Sequence, residues 1–368
     1  MPQLGRLSSQ GLAGLVSQVS AAPTRSIAWT RYSLAVPTSG LSLLTVPAAS
    51  NGTVAFFPVY VNQNSATNRV LKFNGSALVE QVLPSPTVPA VPRFTAYGNG
   101  RFVLLGYTYP VATFYDLTCA WVSTDGGNTF SVTNLPSGSL GAGEGVSSLT
   151  FANNTFYALS HAGSATPISI YYQSSSNGSA WSSLVSGGTS TSRFPLQACG
   201  SSGTRIFSRG YLTAASNSYQ RLISSTLSSV PVSPSIGNDS GDPSIDWVRG
   251  FGFVLATDVA SGPAYYITEA NLDSGASPSV WSTPGSSFSA VAVADNGIDP
   301  PVVAFRNFGF GVSSGRISFD GGSSFFSFSL PTPPSSSYPD NMLGYNNRIF
   351  VSHFTTTIQQ DITVGVIT

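Results

Sequence analysis

Charge is what this 368-residue chain has least of: charged residues make up 8% of it, against roughly 25% in an ordinary globular protein. Fifteen basic and fifteen acidic residues cancel, and Lys72 is the only lysine. No basic stripe exists to hold a phosphate backbone, so nucleic acid is not an expected partner. Cysteine is scarce as well. Cys119 and Cys199, far apart and without an accompanying histidine pattern, match no metal or redox motif and read as buried thiols. His161 and His353 sit in separate apolar, strand-like runs and read as structural or surface residues. No cofactor, metal or catalytic set is therefore expected. No apolar run approaches the roughly 18 residues of a membrane span, and 41% hydrophobic with 12% aromatic residues argues for a folded chain. Met1–Arg25 is not a convincing secretion signal, because Ser8, Ser9, Gln10, Ser17 and Gln18 interrupt its apolar stretch and Arg6 is its whole charged region.

What the chain does have is Gly, Ser, Thr and Asn, and a repeat. Residues 97–103, 151–157 and 344–350 each place Asn-containing turns between apolar residues, as hairpins require, since Asn and Gly accept positive φ. Asp242-Pro243-Ser244-Ile245, leading to Arg249–Phe253, matches Asp299-Pro300-Pro301-Val302, leading to Arg306–Phe310, and reads as one element met twice. Strands run into Pro- or Ser-rich connections at Pro84, Pro136, Ser186, Pro231–Pro234, Pro284 and Pro331. That interval of about 50 residues is the length of a four-stranded propeller blade.

Two segments carry a family resemblance. Ser123-Thr124-Asp125-Gly126-Gly127-Asn128-Thr129-Phe130 and Ser318-Phe319-Asp320-Gly321-Gly322-Ser323-Ser324-Phe325 resemble the Asp-box, S-x-D-x-G-x-[TS]-[WF], of sialidase-like repeats. Weaker forms stand at 175–181 and 73–78. In such turns the Asp accepts backbone N–H groups, the glycines take positive φ and the aromatic ring packs into the blade. Ser123, Asp125, Gly127, Phe130, Ser318, Asp320, Gly322 and Phe325 are thus read as structural. The expected fold is an all-β, seven-bladed propeller, with six blades as the alternative if 187–235 is not a full blade. After Pro331 only three strands remain, and residues 26–37 resemble the missing fourth; pairing them closes the ring and hides two sheet edges. The division is then an anchoring arm, 1–25, and a propeller, 26–368. The arm spaces Leu4, Leu7, Leu12, Leu15 and Val19 like a short amphipathic helix.

The resemblance implies that ligands bind where the innermost strands begin, with the Asp-box turns on the opposite rim. Arg93, Glu144, Arg193, Asp242, Asp299 and Asp340 are the expected polar ring on that face, with Trp247 and Tyr338 as stacking surfaces for sugar. Loop residues that merely pair with neighbours are the plainer reading. A sialidase also needs three convergent arginines, a Tyr–Glu nucleophile pair and an Asp. Arg93, Arg193 and Arg306 could supply arginines, but Glu80, Glu144 and Glu269 are the only glutamates and none sits in a nucleophile motif. The reading favoured is a non-enzymatic structural or receptor-binding protein on a virion exterior, a phage tail or capsid appendage. Other virion proteins would be met through residues 1–25, and host glycans through the propeller face. A sialidase-like glycoside hydrolase and an extracellular lectin or scaffold propeller are the rivals.

Overall fold

A computed structural model of the chain describes residues 25–34, 41–43, 49–61, 68–108, 117–135, 145–162, 168–190, 194–211, 218–223, 226–230, 244–256, 263–307, 312–331, 337–355 and 361–368. Of the arm, only Arg25 falls among them.

The burial of each strand follows its place in a blade. An inner strand can lose all contact with water, because a sheet packed between two others is covered on both faces. Phe288–Ala294 is buried at every position. Outer strands alternate or stay wet, as Ser131–Asn134 and Phe326–Ser329 do. Seven antiparallel sheets result among the described residues. Blade 1 is Leu41–Leu43, Ala55–Val61, Arg69–Phe73 and Leu78–Val82; its innermost strand is interrupted, with Ala49–Ser50 pairing separately with Ala55–Val61. Blade 2 is Ala90–Gly98, Arg101–Thr108, Leu117–Ser123 and Ser131–Asn134. Blade 3 is Gly145–Ala152, Thr155–Ala162, Ile168–Ser175 and Val185–Ser190, the last running past the expected boundary at Ser186. Blade 4 is Phe194–Ser201, Arg205–Tyr211, Ser218–Ile223 and Thr226–Val230, a full sheet in the weakly marked repeat. Blade 5 is Ser244–Val248, Gly252–Ala256, Pro263–Ile267 and Ser279–Ser286, and blade 6 is Phe288–Ala294, Val302–Asn307, Ser314–Ser318 and Phe326–Ser329.

Blade 7 closes the ring. Ser337–Tyr345, Arg348–Thr355 and Asp361–Ile367 take Ile27–Ser33 as their outer strand, from Ile27 opposite Ile367 to Ser33 opposite Asp361. Neighbouring innermost strands touch from blade 1 through blade 7, and Leu41–Leu43 of blade 1 meets Arg348–Thr355, the second strand of blade 7. The core is accordingly a series of seams: Leu71 and Phe73 of blade 1 cluster with Phe350, Ile362 and Val364 of blade 7. Phe56 clusters with Phe102 and Trp121 of blade 2.

Two-residue hairpins at Asn99-Gly100, Asn153-Asn154 and Asn346-Asn347 join first to second strands, with φ of 48° and 71° in the first. One sequence reading fails. The Asp242 and Asp299 segments are not equivalent, because Ser244–Val248 is an innermost strand whereas Val302–Asn307 is second in its blade. Both start with Asp-Pro only because proline tolerates the entry to a strand, where its missing N–H costs nothing.

Candidate ligand-binding face

One rim of the ring is made of turns that tie blades together. In blade 2, Ser123 Oγ donates to Asp125 at 2.7 Å and accepts from Gly127 N at 2.8 Å. Asp125 also takes N–H groups from Asn128 and Thr129 at 3.0 Å and the Thr129 hydroxyl at 2.7 Å. These bonds, the Thr129 N–H foremost, hold its carboxyl well below the usual range. Blade 6 repeats the arrangement with Ser318, Asp320, Gly322, Ser323 and Ser324. Burial would raise the Asp320 carboxyl, but hydrogen bonds from Ser318, Ser324 and Ser323 outweigh it and hold it low. The third position works because it has no side chain. A Cβ on Gly127 would come 2.5 Å from the Phe56 ring of blade 1, and one on Gly322 would come 2.4 Å from Trp281 of blade 5. Phe130 and Phe325 pack edge-on against Phe56 and Trp281. Lys72, the only lysine, donates from blade 1 to Gly127 O at 2.6 Å. In blades 1 and 3 a neutral amide substitutes: Asn74 Oδ1 accepts from Ser76 and Ala77, and Asn177 Oδ1 from Ser179 and Ala180. Blade 5 uses the helix Glu269–Ser274 in place of the turn, capped by Thr268 and ended by Gly275 at φ 77°.

The opposite face is where innermost strands begin, and there the backbone departs from regularity at matching places. Pairing with the second strand skips Arg93 in blade 2, Ser147 in blade 3 and Ser289 in blade 6. Pro195–Gln197 bulge in blade 4 and Asp340-Asn341 in blade 7. After the bulge, regular pairing continues over 94–98, 148–152, 290–294 and 342–345, so the irregularity recurs at nearly one depth around the ring. A bulge re-aims backbone polar groups and often marks a site. These are innermost strands, so the bulges stand around the middle of the ring.

The expected site residues divide. Arg93 is itself a bulged residue, half-buried, its guanidinium 5.8 Å from the Phe94 ring centroid. Asp340 lies in the blade 7 bulge, and Tyr338 in the same strand opposite Phe354. Trp247 belongs to the innermost strand of blade 5 but packs edge-on against Phe253, 4.9 Å between centroids, as part of the seam with blade 4. Asp299 is on the wrong face: it sits in the Asp295–Pro301 turn on the rim of the Ser-x-Asp turns, its carboxylate taking Asn296 Nδ2 at 2.8 Å and its carbonyl Arg249. The false repeat with Asp242 caused that misplacement. Glu144, Arg193 and Asp242 lie outside the described residues.

Polar groups that the sequence reading passed over line the inner wall. Ser244 Oγ bridges Val291 O and N, and Asp246 Oδ2 accepts Val293 N at 2.7 Å, both across the seam from blade 5 to blade 6. Burial pushes the Asp246 carboxyl up to about 7 against the N–H bonds from Trp247 and Val293. An acid set in an apolar strand is the signal that could have found it. At the blade 6–7 seam, fully buried Asp361 pairs with Arg31 of the N-terminal strand at 3.3 Å, beside His353 and Thr363. Among the described residues no three His, Cys, Asp or Glu side chains gather as metal ligands, and no helix is long and apolar enough to cross a membrane.

No protein-family model and no curated protein matches the chain. Solved propellers do. The structure of Ycf48 bound to D1 peptide is similar at TM-score 0.57 and 12% identity, over 92% of this chain and 95% of that one. An α-L-arabinofuranosidase from Fusarium graminearum, with an iminosugar inhibitor, is similar at TM-score 0.47 and 11% identity, over 82% and 97%. Penicillium chrysogenum α-L-arabinanase, with arabinobiose, is similar at 0.45 and 10%, over 92% and 98%. At such identities the likeness speaks for the fold alone.

Proposed function

We propose that this chain is a non-enzymatic, Asp-box propeller on the exterior of a virion, a phage tail or capsid appendage, that binds neutral polar groups of host-surface glycans at the face where its innermost strands begin. The recurrence of bulges at one depth around that face carries the reading. It gathers irregular backbone from several blades around one mouth, which suits the many weakly polar hydroxyls of a sugar better than one charged substrate. Arg93 and Asp340 stand at bulged positions of their strands.

Attachment is on the other side. Arg25, the first described residue, donates to Pro300 O at 2.6 Å, and Ser26 pairs with Thr368, so the chain enters the ring on the rim of the Ser-x-Asp turns. Arg25 thus lies on the face away from the bulges, and anchoring to other virion proteins through residues 1–25 would leave the binding face pointing outward. The uncharged Ser/Thr/Asn exterior suits an extracellular setting. Hydrolysis is the rival reading, and it is disfavoured because Glu80, Glu144 and Glu269 are the only glutamates and none sits in a nucleophile motif.

A glycan array probed with the full chain tests the binding. Retention of defined glycans, lost in Arg93→Ala with an unchanged melting curve, is the expected result; no retained glycan, or release of a cleaved sugar, overturns it. Electron microscopy of particles tests the location, which fails if the chain is absent from them.

A further inference from the structure

We propose that the groove between blades 5 and 6 is a subsite for an oxyanion borne by a sugar, a carboxylate or a sulfate ester, with Arg316 as its cation. The inference rests on the glycan-binding reading and adds a charge preference to it. The groove has a volume of about 570 Å³, within the range of small-ligand sites. It opens beside the Ser289 bulge: Phe288 and Asn307 line it, and Ser289 Oγ donates to Asn307 O.

Its wall is built by a departure from regular structure. In the outer strand of blade 5, Trp281 is opposite Ala264 but Ser286 is opposite Pro263, so Ser282–Gly285 loop out of the sheet. Gly285 then takes φ 104° and Ser287 φ 68°. Positive φ in a serine is a strained conformation that persists where surroundings demand it, often at ligand clamps. Every other described non-glycine residue with positive φ is an asparagine.

The lining sets the chemistry. Pro284 and Phe288, both buried, form the base of the groove, Val312 gives it an apolar edge, and Ser287 and Asn307 give it a polar rim. Asn307 Nδ2 is used on Ser314, which leaves its side-chain Oδ1 for a hydroxyl donor. Arg316 is exposed at the opening and makes no hydrogen bond or ion pair with a described residue, whereas Arg31, Arg69, Arg205 and Arg249 all face carboxylates. A guanidinium has five donors and no acceptor, and its planar fork matches two oxygens of a carboxylate or sulfate.

Calorimetric titration of the full chain with a glucuronosyl oligosaccharide and its glucosyl counterpart, and with 6-sulfated and unsulfated galactosides, decides the matter. The expected result is that one charged sugar binds about tenfold tighter than its neutral partner. Raised salt shrinks the preference, and Arg316→Gln, with an unchanged melting curve, abolishes it. The uronate and sulfate arms say which oxyanion is meant. Equal binding of charged and neutral sugars, or a preference that survives in Arg316→Gln, overturns the subsite while leaving glycan binding intact. Binding of neither overturns both.

Discussion

Two seams of the ring solve one problem with opposite chemistry. Between blades 5 and 6, an acid reaches across to a backbone N–H of the next innermost strand, and burial raises the Asp246 carboxyl to about 7. Between blades 6 and 7, where the chain's two ends meet, burial lowers the His353 imidazole to about 4; Asp361 pulls it up while Arg31 and Arg306 push it further down. One seam favours a proton and the other refuses one. The difference arises from what surrounds each group. Asp246 has two N–H partners and no cation, whereas His353 shares its pocket with two guanidinium groups and one carboxylate. The seam beside the sheet closed from both chain ends thus holds a cluster of opposite charges, and the seam of blades 5 and 6 a single acid.

The largest expected effect breaks the closing seam. Asp361→Ala removes the carboxylate that faces Arg31 from a pocket that also holds Arg306 and His353, which should cost about 3 kcal/mol, the low end for a buried pair because Arg31 keeps part of its surface in water. Urea denaturation reads the loss, and limited proteolysis should release residues before Ser33 first. A loss below 1 kcal/mol would mean that the N-terminal strand is held by its ladder alone. Next, Gly344→Ala pushes a methyl to 2.1 Å from Val293 O of blade 6, backbone that cannot swing aside, for about 1–3 kcal/mol.

The pH dependence sharpens the contrast. Asp246 has a folded value above its unfolded one, so its contribution is complete below pH 4 and is lost as pH rises through about 7. His353 has a folded value below its unfolded 6.5, so its contribution is complete above 6.5 and is lost as pH falls through about 4. Between these limits the slopes oppose, and wild-type stability should be nearly flat. Asp246→Asn leaves the His353 slope and should make stability fall on acidification from pH 6.5 to 4. His353→Gln should make it rise. Melting curves at pH 4, 5, 6 and 7 check both; parallel profiles for the two variants would refute the assignment.

The contrast was only half legible in the sequence. The ring, its blade length and the closing strand followed from periodic turns and a missing fourth strand, because turn chemistry is local: Asn and Gly at positive φ and the Ser-x-Asp triplet are short-range signals. The seams were not legible. His353 and Asp361 become neighbours through pairing of Arg348–Thr355 with Asp361–Ile367, and Arg31 arrives from the far end of the chain. Asp246 looked like one more strand residue, and Arg316 one more surface arginine. The face of a residue depends on its position in the blade, which is why a chance match of Asp-Pro segments sent Asp299 to the wrong rim.

The smallest effect concerns the turn that rests on the blade 5–6 seam. Gly322 lies against Trp281 only while the Ser318–Ser324 loop keeps its shape, and Asp320 sets that shape by accepting from Ser318, Ser323 and Ser324. Asn74 and Asn177 close equivalent turns with one amide oxygen on two backbone N–H groups. Asp320→Asn can keep those two bonds through Oδ1 but loses the second oxygen that receives the Ser324 hydroxyl. It should therefore cost well under about 1 kcal/mol, while Asp320→Ala, which strands both N–H groups, should cost about 1–2 kcal/mol. If the two variants melt alike, the negative charge itself, and not the geometry of the accepting oxygens, holds the turn against Trp281.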